Sequence, residues 1–97
     1  MKGIIFLPPA EEEMLDAARF YESRVHGLGR EFLAEVQHAA QRITEHPEAA
    51  PPIRGNIRRR LIKRFPFGIL YINDPDEIVI VAVMHLRQRP GYWRGRL

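Results

Sequence analysis

The run EIVIVAVMHL, residues 77–86, constrains this chain more than any other stretch. It is almost wholly apolar, as a strand is when both of its faces are covered. The remainder of a 97-residue chain has to supply that cover. Such a length predicts one domain, residues 1–97, with a real but modest core. Apolar residues make up 45% and charged residues 28%, the balance of a folded domain rather than a disordered one.

The cover comes from helical stripes upstream. KGIIFL (2–7) reads as a short strand, closed by Pro8 and Pro9. Helix 1 is expected over about 9–26, with Glu11, Glu12 and Glu13 at its positive end. Met14, Ala18, Tyr21 and Val25 form its apolar stripe, widened by Leu15 and Ala17. His26-Gly27 is a plausible helix end, because glycine accepts the left-handed cap. Helix 2 is expected over about 28–46, on the stripe Leu28, Phe32, Val36, Ala39 and Ile43, and Pro47 stops it. A linker this short makes the pair an antiparallel hairpin.

Past the turn-rich stretch PEAAPPIRGN (47–56) the period changes. RRRLIKRF (58–65) alternates imperfectly, with Leu61 and Phe65 on one face and Arg60, Ile62 and Arg64 on the other. FGILYI (67–72) follows, and NDPD (73–76) is a strong turn before the long apolar run. The expected fold is therefore α+β: two layers in the order β-α-α-β-β-β, with an antiparallel sheet, joined or not by the first strand, against an N-terminal helical hairpin.

Charge is divided unevenly. Residues 1–50 carry five basic and nine acidic side chains, and residues 51–97 carry ten basic and three acidic. The second half is suited to an anionic partner, either nucleic acid or an acidic protein segment. In RRRLIKR, Arg58, Arg60 and Arg64 would share one strand face and Arg59 and Lys63 the other. Guanidinium groups on such a face can pair with phosphate or carboxylate. The same charges also guard an edge strand against aggregation.

The C-terminal HLRQRPGYWRGRL divides in a similar way. His85 ends the buried strand beside Arg87 and Arg89, where a histidine can exchange protons and arginines can offset charge on a transferring phosphate. Tyr92 and Trp93 can stack on bases, or they can fold back and complete a small core. Pro90 to Trp93 reads as a turn and a lid that packs the C-terminus down.

Several chemistries find no support. There is no phosphate loop, dinucleotide glycine fingerprint or HExxH motif. There is no cysteine to act as nucleophile, disulfide or ligand, which fits a reducing, cytoplasmic setting. His38 and His46 lack metal-ligand spacing, so neither a metal nor an organic cofactor is implied. The start of the chain is expected to be neither a signal peptide nor a membrane span, and no membrane role follows.

Two blocks, RRRLIKRFPFGILY (58–71) and AVMHLRQRPGYW (82–93), together with the preceding strand and helical hairpin, resemble the RelE/ParE superfamily of type II toxins. The likeness is closest to the ParE and plasmid-stabilisation branch and covers nearly the whole chain. It implies a toxin silenced by a cognate antitoxin. ParE-like members inhibit DNA gyrase by binding, whereas RelE-like members cut ribosome-bound messenger RNA. Several nucleases of the superfamily carry an arginine where this chain has Gly68. As a nuclease, the chain would draw on Lys63, Arg64, His85, Arg87 and Tyr92. As a binding protein, it would meet antitoxin or target through Arg58, Arg59, Arg60, Arg89 and Trp93. A family member without toxicity that still binds its antitoxin is a third reading. A homodimer through a sheet edge or helix 1 stays open.

Overall fold

The computed structural model describes residues 2–97. A first strand, β1 (Gly3–Phe6), leads into helices α1 (Pro8–Arg24) and α2 (Leu28–Glu45). Four strands follow: β2 (Pro52–Arg54), β3 (Ile57–Leu61), β4 (Phe67–Asn73) and β5 (Glu77–His85). A short 3-10 turn, Arg94–Arg96, lies at the C-terminal end. The strands form one five-stranded sheet in the order β1-β5-β4-β3-β2. Strands β2 to β5 run antiparallel, while β1 lies parallel to β5 with Gly3 opposite Glu77. The fold is the expected two-layer α+β arrangement, with the helical pair packed on an open, mixed sheet.

Local chemistry explains the helix ends. Pro8 and Pro9 occupy the first positions of α1, where a missing N–H costs nothing. Ala10, Ala17 and Ala18 are buried, and Met14 and Tyr21 pack against the same core. Val25, expected as the last member of that stripe, instead caps the helix in an extended conformation and is 57% exposed. Gly27, at φ 87°, takes the left-handed position that starts α2. The Glu22 carboxylate accepts from Gly27 N–H at 2.9 Å and Gly29 N–H at 3.0 Å. These donors would otherwise be orphaned at the start of α2. A Cβ built on Gly29 would lie 2.4 Å from the Ala18 carbonyl oxygen, so the helices cross at a point only glycine admits.

Two apolar clusters cover the sheet. Between helices and sheet lie Phe32, Val36 and Ile43 of α2 with Phe67, Ile69 and Tyr71 of β4 and Ile78, Ile80 and Val83 of β5. On the opposite face lie Ile57, Leu70, Val81, Ala82, Met84 and Trp93, with Leu7, Ile72 and Tyr92 at the margin. The C-terminal segment is thus the second cover that the long apolar strand requires.

A bulge in β5 sets which residues face the helices. Leu70 pairs with Ala82 and Tyr71 with Ile80, leaving Val81 as an extra residue. Val81 and Ala82 both belong to the outer cluster, and Val83 then turns to the helical side. His85 follows it and lies against Phe67, with ring centroids 5.1 Å apart.

Four expectations need correction. The stretch read as connection contains β2, whose Pro52 pairs with Arg58. The strand expected over 58–65 ends at Leu61, because the chain turns at Lys63–Pro66 before Phe67. Leu61, expected to share a face with Phe65, is 57% exposed while Phe65 is in the core. Arg64 lies in that turn at φ 70°, outside the strand, so it does not share a strand face with Arg58 and Arg60.

Candidate functional site

The basic residues of β3 and the following turn divide according to what they touch. Arg58 donates to the carbonyl oxygens of Glu48 at 3.1 Å and Ala50 at 2.6 Å. The Tyr71 hydroxyl donates to the Pro47 carbonyl at 2.7 Å, so the two side chains hold the 47–50 loop against the sheet. Burial pushes the Tyr71 phenol above its ordinary value. Arg64 donates to Glu31 on α2 at 2.6 Å and lies 3.8 Å from Glu35. Its guanidinium also stands 5.6 Å from the Phe65 ring centre. The bond to Glu31 raises the Arg64 pKa, and together these contacts hold a residue with an unfavourable positive φ.

Arg59, Arg60 and Lys63 differ from these two. Among the described residues, none of the three has a carboxylate or hydrogen-bond partner for its cationic group. The stem of Arg59 lies across Gly68 on β4, with its Cγ 3.1 Å from where a Cβ would be. Two clefts flank the end of β3. One of about 550 Å³ runs along α2, lined by His38, Arg42, Arg60 and Lys63 among others. The second, of about 360 Å³, lies towards β2 and is lined by Pro51, Ile53 and Arg59. Arg60 and Leu61 line both clefts.

The C-terminal segment is organised by a residue that the sequence reading placed only at the dipole of helix 1. The Glu13 carboxylate accepts from Arg96 at 2.8 and 2.9 Å and from the Tyr92 hydroxyl at 2.5 Å. It also accepts from the Val83 backbone N–H at 3.1 Å, while Arg96 donates to the Val81 carbonyl at 3.1 Å. β1 pairs with β5 only as far as Ile80, and Leu7 N–H donates there. Beyond that point Glu13 and Arg96 satisfy the strand edge as a neighbouring strand would. Burial, and then the bond to Glu13, drive the Tyr92 phenol far above its ordinary value. Glu13 lies on the helical stripe that holds Ala10 and Ala17, and a lone carboxylate on an apolar stripe was the available signal.

The five residues of the nuclease reading are not gathered in one place. His85 lies against Phe67 of the helix-side cluster, and its Nδ1 accepts from the Arg87 backbone N–H at 3.0 Å. Tyr92 borders the opposite cluster and is committed to Glu13. Arg64 is held by Glu31, Lys63 faces the cleft along α2, and Arg87 is exposed. Of the residues of the binding reading, Arg89 is exposed. Trp93 is 4% exposed and fills the outer cluster, so it does not present its ring to a partner. The turn-and-lid description of Pro90 to Trp93 matches its place in the fold. Among the described residues no group of three histidine, cysteine or acidic side chains could hold a metal ion. No helix among them is long and apolar enough to cross a membrane.

The geometry is that of an open sheet backed by a helical hairpin, with three cations, unpaired among the described residues, gathered around one strand end. Residues 4–90 match the family model described as the ParE toxin of the type II toxin–antitoxin system parDE, and the chain belongs to that family. No curated protein matches the chain significantly. Among solved structures, a chain of the chromosomal ParDE TA system from P. aeruginosa shares the fold, with a TM-score of 0.61 at 18% identity. The match covers 88% of this chain and 96% of that one.

Proposed function

We propose that this ParE-family toxin acts by binding, with DNA gyrase as its target, and that a cognate antitoxin silences it. One observation carries the preference for binding over cutting: His85 lies against Phe67 of the helix-side cluster, whereas Tyr92 borders the outer cluster with its hydroxyl committed to Glu13 at the β5 edge. General acid–base catalysis needs both within hydrogen-bond reach of one reacting centre. Tyr92 is further disfavoured as a proton donor, because burial and Glu13 hold its proton tightly. Gly68 offers no cation of its own to a phosphate.

Two assays on the purified protein test this. Gyrase supercoiling is expected to fall with added protein, while messenger RNA on ribosomes stays intact. RNA cleavage that disappears in His85→Ala would overturn the proposal in favour of a nuclease. If neither activity is seen, and expression does not arrest growth, the chain is a family member that keeps antitoxin binding alone.

A further inference from the structure

We propose that the two clefts around the end of β3 form one continuous groove that takes an extended acidic peptide segment, with an apolar side chain of that segment seated on Leu61. The inference rests on the reading of the chain as a toxin held by a protein partner, and it says where and by what chemistry. Continuity follows from Arg60 and Leu61, which line both clefts. Arg59, Arg60 and Lys63 supply three cations with no partner among the described residues, whereas Arg58 and Arg64 from the same basic run are already bound within the fold. Leu61 stands 57% exposed between them, an aliphatic side chain in a basic setting. Ile53, at the β2 end of the groove, is also exposed.

The groove suits carboxylates on a peptide better than a phosphodiester chain. Glu35 and Glu45 line its α2 wall and would repel a uniformly charged backbone. No phenylalanine, tyrosine or tryptophan lines either cleft, and His38 is the one ring a base would find to stack on. A peptide with spaced acidic residues can meet the cations, avoid the two glutamates and bury an apolar side chain on Leu61. The short edge strand β2 adds open backbone beside Ile53, the kind of edge an extended segment pairs with.

A displayed library of random peptides, selected on the whole protein, tests this. Enriched sequences are expected to carry acidic residues around an aliphatic or aromatic one. Their affinity is expected to fall by about 10-fold or more in Lys63→Glu and in Leu61→Ser. It should be unchanged in Arg19→Glu, which alters net charge equally on an exposed part of α1. Both groove positions are exposed, and wild-type melting of the variants separates lost binding from lost fold. Failure of any peptide to enrich, enrichment without acidic residues, or equal affinity for all variants would overturn the proposal. So would oligothymidylate binding that the two groove variants abolish. Growth arrest on expression is scored separately, so a toxin that binds its partner elsewhere is told apart from a chain that is no toxin.

Discussion

Removing the Tyr92 hydroxyl leaves the Glu13 carboxylate with one donor fewer in a half-buried site. Tyr92→Phe is therefore expected to lower stability by about 1–2 kcal/mol, measured by urea unfolding at neutral pH. The pH dependence has a definite sign. The folded-state pKa of Tyr92 lies above its ordinary value of 10.0, so its contribution is complete below that pH and is lost as pH rises through the folded value. Wild type should lose its margin over Tyr92→Phe only in strongly alkaline solution. Glu22 behaves in the opposite sense. Bonds from Gly27, and then Gly29, hold its pKa below the usual value. Its contribution is present at neutral pH and fades as pH falls through that lowered value. Glu22→Gln should narrow the gap to wild type in acid, read as melting temperature against pH. Arg58 lies in the basic run yet binds two carbonyl oxygens, so Arg58→Ala should show mainly as a stability loss of about 1–3 kcal/mol.

Elements depend on a few backbone positions. Gly29→Ala would place a methyl group against the Ala18 carbonyl, and the helices would have to separate. A loss of about 1–3 kcal/mol is expected in denaturant unfolding. Deleting Val81 would remove the β5 bulge and one side chain of the outer cluster, while Ile80, Val83 and His85 keep their helix-facing register because Leu70 and Tyr71 would then face consecutive residues. That variant is expected to keep a cooperative thermal transition at a lower melting temperature, since a buried valine side chain is lost from the outer cluster. The helices and the central strand were legible in the sequence, because stripes at helical spacing and an unbroken apolar run are local signals. The bulge was not, since Val81 looks like any other member of that run and only pairing with β4 shows it to be the extra residue. β2 was hidden because three residues bounded by proline and glycine carry no period. The basic run announced itself as a group, but its division into structural and free cations depends on Glu31, Glu48 and Ala50, which are distant in sequence or are backbone acceptors.

At the scale of the whole molecule, the two halves of the chain carry opposite charge and partly neutralise each other. The carboxylates that meet the basic half internally, Glu13, Glu31 and Glu35, all come from the helices, so the acidic half neutralises part of the basic half within one chain. Three of the cations left over, Arg59, Arg60 and Lys63, collect at the β3 groove. The sheet also joins the start of the chain to its late segments: β1, beginning at Gly3, is completed only by β5, beginning at Glu77. Contacts between such distant segments form late and slowly. A chain ending at Asp76 has helices but lacks the strand they pack on, and by circular dichroism it is expected to be largely unfolded. During synthesis the same holds for every nascent chain, because translation delivers β5 and the Glu13-binding residues after the helices that pack on them. A growing copy thus has no assembled sheet, and no groove built on it, until β5 has left the ribosome.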